Sequence, residues 1–172
     1  MSRLIEERLK TVKEGDLLDI NTDFGVLISE KAAKEVESQV QHTMDQGAKL
    51  VYGGVRRGAY YMPTVLDNCT KDMDICNDME IFGPVFPVFT FKTLDEAIEI
   101  AETSEYGLSA GVITENLKDA MKVAASLQTG MVAVNGSGGF RAQELPFGGG
   151  KKMSGNSREC MSSVLEEVDR KS

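Results

Sequence analysis

The sequence predicts an α/β fold, with a largely parallel sheet and helices on both faces. Three observations support this prediction. Short apolar runs typical of strands alternate with amphipathic helical patterns, the helical patterns carry start and stop signals, and no internal repeat or long linker interrupts the alternation. Helices of about ten residues between strands are typical of right-handed crossovers, which join parallel strands. We therefore expect residues 1–172 to form one compact unit.

Composition and charge exclude several classes of protein. The chain is 41% hydrophobic and 27% charged, as in an ordinary soluble globular protein. Its net charge of −8, with scattered basic residues, opposes binding to a nucleic-acid backbone. The apolar runs are too short to span a membrane, and the first residues lead into charges where a signal peptide needs an apolar core. We expect a cytoplasmic protein without membrane or nucleic-acid partners.

The first half of the chain predicts two helices. Apolar residues recur at helical spacing over residues 2–13, and Gly15 ends that pattern. Ser29 is a suitable N-cap for a second helix, which Gly47 ends. The apolar stripe of this second helix consists of Ala33, Val36, Val40 and Met44. His42 lies off the stripe, so we interpret it as a solvated helix residue and not as a catalyst.

Strand signals surround a stiff turn at the centre of the chain. Residues 48–52, 61–66 and 85–91 predict strands. Immediately before the last of them, Glu80 and Phe82 precede a Gly-Pro pair that limits the backbone to a rigid turn. Loops at strand ends often carry functional side chains, although a surface glutamate before a core strand is an equally simple interpretation.

The second half continues the alternation. Thr93 begins a capping box, and the helix that it opens runs through residue 101. Residues 108–113 and 131–134 predict strands, and Asn116 can cap the helix between them. A short last helix is predicted from Ser157 through Val164.

The cysteines and the single histidine indicate neither disulfides nor a metal site. Cys69, Cys76 and Cys160 form neither an even set nor a CxxC pair, and one histidine leaves no zinc constellation. The loop that carries Cys69 and Cys76 is acidic, which opposes a thiolate. We interpret both as structural, and a thiol enzyme that uses Cys76 is a weaker alternative.

The glycine-rich segment 135–155 does not fit a nucleotide-binding motif. The P-loop pattern fails at Lys152, where Ser or Thr is required, and the dinucleotide fingerprint fails at Arg141, where the last Gly is required. What remains is a long flexible loop that carries Phe140, Arg141 and Phe147. Long loops in compact domains tend to be functional, so a pocket wall is favoured over a solvated linker.

Several separate motifs occur in one order along nearly the whole chain. They are Gly25-Val26-Leu27-Ile28-Ser29, Gly47-Ala48, Tyr61-Met62-Pro63-Thr64-Val65-Leu66, Glu80-Ile81-Phe82-Gly83-Pro84-Val85, Tyr106-Gly107-Leu108-Ser109-Ala110, Val134-Asn135, Pro146-Phe147-Gly148-Gly149 and Ser154-Gly155. In this order they closely resemble the aldehyde dehydrogenase superfamily.

The resemblance implies the catalytic domain of an NAD- or NADP-dependent enzyme that oxidises an aldehyde to a carboxylic acid through a thiohemiacetal and a thioester. It implies that Glu80 binds the nicotinamide ribose and that Phe82 forms an apolar wall beside it. It also implies that Phe140, Arg141 and Phe147 line the aldehyde tunnel. A carboxylate can accept two hydroxyl hydrogen bonds, which suits the role of Glu80. Arg141 can either pair an anionic substrate or face solvent.

The departures from the family pattern lead to a further expectation. The resemblance places the nucleophilic cysteine, in a Gly-Gln-x-Cys context, the general-base glutamate and the dinucleotide-binding domain upstream of this region. We therefore expect residues 1–172 to be a single, truncated catalytic domain with no catalytic residue of its own and weak or no NAD(P) binding alone. Its partners would be a complementary dinucleotide-binding half or further copies of itself. The alternative is a non-enzymatic interaction module that retains the fold.

Overall fold

A computed structural model describes residues 1–141 and 145–169. The chain divides into two compact units, Met1–Thr90 and Phe91–Ser172. The assignment of residues 1–172 to one partial catalytic domain stays a prediction. The elements of the first unit are α1 (Ser2–Leu9), α2 (Glu30–Asp45), β1 (Lys49–Tyr52), β2 (Arg56–Arg57), β3 (Tyr60–Tyr61), β4 (Thr64–Cys69) and β5 (Val85–Phe89). Those of the second are α3 (Leu94–Ala101), β6 (Ser109–Val112), α4 (Leu117–Ser126), β7 (Met131–Val134), a 3₁₀ turn (Lys152–Ser154) and α5 (Met161–Asp169).

Helix α2 forms where the sequence predicts it. The Ser29 hydroxyl accepts a hydrogen bond from the Ala32 amide, and Gly47 takes a positive φ of 114° just past the helix end. The predicted stripe is buried at Ala33, Val36 and Val40, and these residues belong to the core of the first unit. His42 lies off the stripe, and its Nε2 pairs with the Asp74 carboxylate at 2.7 Å. That hydrogen bond lowers the pKa of Asp74.

Helix α1 is shorter than the predicted range 2–13. Beyond Leu9 the amides of Thr11 and Val12 bond to carbonyls three residues back, so the α-helical pattern ends. Lys13 then donates its backbone N–H to the Asp23 carboxylate, and the chain continues as a bridge between Glu14 and Phe24. Local periodicity does not reveal these contacts, which join residues ten positions apart and take the chain out of the helix.

The sheets are mixed, which corrects the expectation of a largely parallel sheet. The first unit holds a sheet of order β1-β4-β5, in which β1 pairs antiparallel with β4 and β4 pairs parallel with β5. The small β2-β3 hairpin is also antiparallel, whereas β6 and β7 are parallel. The connection from β1 to β4 carries that hairpin and no helix, so the chain returns beside β1 in the opposite direction.

Buried residues of β4 and its neighbours complete the first core. Tyr61, Val65 and Leu66 are at most 1% exposed. Thr64 is a buried polar residue whose hydroxyl donates to the Met62 carbonyl and accepts from the Gly54 amide, so its polar atoms are satisfied. This contact secures the turn that leads from β1 into the β2-β3 hairpin.

The helices of the second unit begin at the predicted caps. The Thr93 hydroxyl accepts from the Glu96 amide, and Asn116 accepts from the amides of the first turn of α4. The Glu96 carboxylate accepts from the backbone N–H of Lys92, one residue before the expected position in a capping box. Helix α5 begins at Met161, four residues after the predicted start at Ser157.

Asn135 follows β7 in the left-handed region, with φ of 53°. Its side-chain oxygen accepts a hydrogen bond from the Thr114 amide at 2.9 Å, and its own amide donates to the Val112 carbonyl. These bonds join the carboxyl ends of β6 and β7.

In the part of the chain that the structure describes, no helix combines the length and apolarity needed to cross a bilayer. Over the same residues, no cluster of three or more His, Cys, Asp or Glu side chains is arranged to hold a metal ion.

Candidate functional site

The central turn that carries Glu80 and Phe82 is held to the rest of the first unit by backbone hydrogen bonds and by one side chain. The Met79 amide donates to the Asp74 carbonyl, and the Pro84 carbonyl accepts from the Thr64 amide at 2.8 Å. Between these bonds, Ile81 packs against the core. The turn is therefore held by its backbone hydrogen bonds and by one half-buried side chain, while the neighbouring side chains of Glu80 and Phe82 stay outside.

Glu80 and Phe82 both face solvent. Phe82 is 77% exposed, and Glu80 is exposed as well. Across residues 1–141 and 145–169, the Glu80 carboxylate has neither a hydrogen-bond partner nor an ion-pair partner. A cavity of about 70 Å³ lies between these two residues and α2. A free carboxylate beside an exposed aromatic ring can accept hydrogen bonds from a diol and cover an apolar ring.

Residues 147–155 of the glycine-rich segment are packed through close backbone contacts, although the sequence predicted a flexible loop. A Cβ on Gly130 would lie 1.5 Å from the Gly148 carbonyl oxygen, and one on Gly149 would lie 2.1 Å from the Ser154 carbonyl oxygen. Phe147 forms an antiparallel bridge with Glu159 through both backbone groups. Glycine is needed at such positions because no side chain fits there. The loop therefore folds back on itself in the second unit.

Arg141 and Phe147 come together at one cavity of this loop. The Arg141 guanidinium lies 4.8 Å from the centroid of the Phe147 ring, and its Nη2 is 3.2 Å from Glu159 Oε2. The cavity has a volume of about 260 Å³. Its lining consists of Gly130, Met131, Arg141, Leu145, Pro146 and Phe147. Phe140 is 62% exposed and is not among these lining residues.

Lys151 connects the glycine-rich loop to the end of α3, a contact that sequence reasoning missed. Its Nζ donates to the Ser104 carbonyl at 2.7 Å and lies 3.2 Å from Glu102 Oε2. Beside it, the Gly107 amide donates to the Ser154 hydroxyl. Nearly fifty residues separate the partners, so no local pattern could indicate the contact. A basic residue in the glycine-rich loop was the one available signal.

The three thiols differ in their surroundings. Cys69 and Cys76 are buried, and burial raises the pKa of Cys69. Cys160 is partly exposed, and hydrogen bonds with the hydroxyl of Ser162 and then that of Ser163 lower its pKa to about 7. Burial agrees with the structural role predicted for the first two. The spacing of the cysteines does not distinguish Cys160, and the available signal is the pair Ser162 and Ser163 that closely follows it.

The fold, the central turn and the order of motifs define one class of protein. The chain belongs to the aldehyde dehydrogenase family, whose sequence model matches residues 1–171. Among curated relatives, it is 38% identical over 164 residues to 3-sulfolactaldehyde dehydrogenase of Priestia megaterium, which covers 95% of this chain and 34% of that protein. It is 39% identical to lactaldehyde dehydrogenase of Methanococcus maripaludis, over 96% of this chain and 35% of that protein.

Solved structures agree with this assignment. Glyceraldehyde-3-phosphate dehydrogenase GapN of Methanocaldococcus jannaschii, complexed with NADP, superposes with a TM-score of 0.90 at 37% identity, over 96% of this chain and 35% of that one. Betaine aldehyde dehydrogenase of Staphylococcus aureus in complex with NAD⁺ gives a TM-score of 0.88 at 34% identity, over 96% of this chain and 34% of that one. The chain thus spans about a third of the length of the relatives that it matches.

Proposed function

We propose that this chain forms part of the catalytic domain of an NAD- or NADP-dependent aldehyde dehydrogenase, which oxidises an aldehyde to a carboxylic acid. The observation that carries the proposal is the Glu80 carboxylate, which has no partner among the described residues and is exposed on a rigid turn beside Phe82, in a chain of this family. The similar enzymes from M. jannaschii and S. aureus, solved with NADP and NAD⁺, support the choice of cofactor.

Glu80 and Phe82 would hold the nicotinamide-ribose end of the cofactor. The two carboxylate oxygens of Glu80 can accept hydrogen bonds from the two ribose hydroxyls, which fixes the orientation of the ring. The Phe82 ring would cover one side and exclude water. When bound, the nicotinamide supplies the hydride acceptor for aldehyde oxidation. Because the turn is already rigid, little conformational entropy is lost on binding at this end.

Arg141 and Phe147 would form a wall of the aldehyde pocket. Their cavity of about 260 Å³ suits a small aldehyde, and its lining is mainly apolar. Glu159 already partners the Arg141 guanidinium, and an exposed pair of this kind contributes only about 0 to 1 kcal/mol. An anionic group of a substrate can therefore replace Glu159 as the partner of the Arg141 guanidinium at a small energetic cost. Phe140 would cover the solvent side of the same loop.

By itself, this chain would bind NAD weakly. Hydrogen bonds from one charged residue contribute about 1.5 to 3 kcal/mol each, which does not offset the several kcal/mol lost in immobilising a whole dinucleotide. We expect dissociation constants above about 1 mM, and turnover only when a complementary half supplies the dinucleotide-binding domain and the nucleophilic cysteine. Micromolar binding of NAD to this chain in a calorimetric titration would contradict this part of the proposal.

The test of the Glu80 assignment is saturation-transfer NMR of the purified chain with several millimolar NAD, a method suited to weak binding. The ribose protons next to the nicotinamide should receive saturation from the protein. Glu80→Gln should lower affinity about tenfold or more and remove most of that signal. Glu7→Gln, which removes an exposed carboxylate from α1, is the matched control and should leave it unchanged. Equal signals in both variants would refute the assignment.

A further inference from the structure

One face of α2 lies directly beneath the central turn. Four of its residues, spaced as neighbours on one side of a helix, line the 70 Å³ cavity together with Glu80 and Phe82. These four are Ala32, Glu35, Val36 and Gln39. The helix therefore forms the floor on which the two candidate cofactor residues lie.

The backbone of the turn rests on Val36 without an intervening side chain. Val36 is 2% exposed and belongs to the core. A Cβ added at Gly83 would lie 2.7 and 2.9 Å from the two methyl carbons of Val36, which is closer than real Cβ contacts. Glycine is thus required at this position by close approach, and the height of the turn above α2 is set by Val36.

Gln39 binds the turn at Glu80 itself. Its side-chain Nε2 donates to the Glu80 carbonyl oxygen at 3.4 Å. The backbone carbonyl of Gln39 in turn accepts from the buried Thr43 hydroxyl at 2.8 Å. Because the Glu80 carbonyl and carboxylate share one Cα, a rotation of this peptide unit away from Gln39 would also move the carboxylate.

We infer that Gln39 and Val36 are positioning residues, which hold the Glu80 carboxylate and the Phe82 ring in the orientation that engages the nicotinamide ribose. This inference rests on the proposed function for its ligand. Neither residue touches the cofactor in this scheme. Val36 determines the distance of the turn from α2, and Gln39 determines the rotation of the Glu80 peptide.

The first experiment compares Gln39→Leu with Gln41→Leu in the whole chain. Gln41 lies on the same helix, and its side-chain amide donates to Asp45 four residues on, so the control removes a similar group from the outer face. Backbone amide exchange at residues 80–83 should rise about threefold to tenfold in Gln39→Leu, since one hydrogen bond is lost, and should stay unchanged in Gln41→Leu. Thermal midpoints of the two variants should agree within a few degrees.

Unchanged exchange at residues 80–83 in Gln39→Leu would overturn the inference. Faster exchange throughout the first unit together with a fall in the thermal midpoint would also overturn it, because Gln39 would then support the fold in general. The second readout is the NAD ribose saturation signal, which a purely structural role would not change. It should fall in Gln39→Leu nearly as far as in Glu80→Gln and persist in Gln41→Leu.

The two proposals fail in different ways. If Glu80→Gln keeps the full ribose signal, or if the original chain shows none, the assignment of Glu80 to ribose binding by this chain fails, and the exchange experiment alone decides whether α2 positions the turn. If Glu80→Gln loses the signal while Gln39→Leu keeps it, the role of Glu80 stands and the inference on α2 is wrong.

Discussion

Cys160 immediately precedes α5, and its Sγ lies 3.1 Å from the Ser162 hydroxyl and 3.2 Å from the Ser163 hydroxyl. The Ser163 amide also donates to the sulfur. The amide donates to the sulfur, and both hydroxyls can donate to it once it is ionised, which explains why the pKa of Cys160 falls to about 7. The thiolate, and not the thiol, reacts with alkylating agents.

We predict that iodoacetamide modifies Cys160 first, with a rate that rises through a midpoint near pH 7. The rate rises with pH because the thiolate is the reactive form. Because the pKa is lowered, the thiolate is already half populated near pH 7. Ser162→Ala should move the midpoint upward, toward the ordinary value for a cysteine. Cys69, whose pKa burial raises, is the internal control and should stay unmodified in the folded chain. Mass spectrometry of the peptides that contain Cys69 and Cys160, across a pH series, measures the extent of modification at each.

A Cys160 midpoint that does not respond to Ser162→Ala would contradict the cause that we assign to the lowered pKa. Equal modification rates at Cys69 and Cys160 would contradict the difference in burial between them.

At the scale of elements, the helix caps show how far local sequence determines structure. Thr93 was predicted as the start of α3, and its hydroxyl accepts from the Glu96 amide at 3.2 Å. Ser29 and Asn116 behave in the same way at α2 and α4. Each cap depends on atoms within three residues, so the pattern is complete in the sequence itself.

We predict that Thr93→Ala lowers the free energy of unfolding by about 0.5 to 2 kcal/mol, because the Glu96 amide loses its acceptor. Thr93→Ser retains the hydroxyl and should cost less. Urea denaturation followed by circular dichroism measures both variants. If Thr93→Ser proves as destabilising as Thr93→Ala, the methyl group and not the hydroxyl would be the stabilising part of the residue.

Strand direction did not follow from local patterns. The sequence located β1 and β4 to within a few residues, yet their antiparallel pairing was missed. Alternating helices and strands suggested crossovers throughout, but the segment between β1 and β4 holds only the β2-β3 hairpin. Between β6 and β7, which α4 connects, the pairing is parallel as expected, whereas β5 and β6 belong to different sheets although α3 connects them.

At the scale of the whole molecule, the proposed function implies that the purified chain alone produces no NADH or NADPH from an aldehyde. Cys69 and Cys76 are buried, and none of the three cysteines has the Gly-Gln-x-Cys context that the family resemblance requires of the nucleophile. Covalent capture of the aldehyde prepares hydride transfer, so its absence should leave only background absorbance at the nicotinamide wavelength.

Sustained formation of reduced cofactor would contradict this prediction. Cys76→Ser and Cys160→Ser identify the source in that case, because loss of the signal in one of them would reveal a nucleophile on this chain. Cys160→Ser is the more informative variant, since its thiol is partly exposed and ionises near neutral pH.

The sequence by itself determined the family, the positions of most helices and strands, the caps, and the rigid turn at Glu80, because these depend on neighbouring residues or on motifs in a fixed order. Only the tertiary structure decided the direction of β1 and the contacts of Arg141 with Glu159 and with the Phe147 ring. It alone also decided the contact of Lys151 with the end of α3 and the close approach of Gly83 to Val36. Each of these joins residues far apart along the chain, so it depends on packing distances that no local pattern encodes.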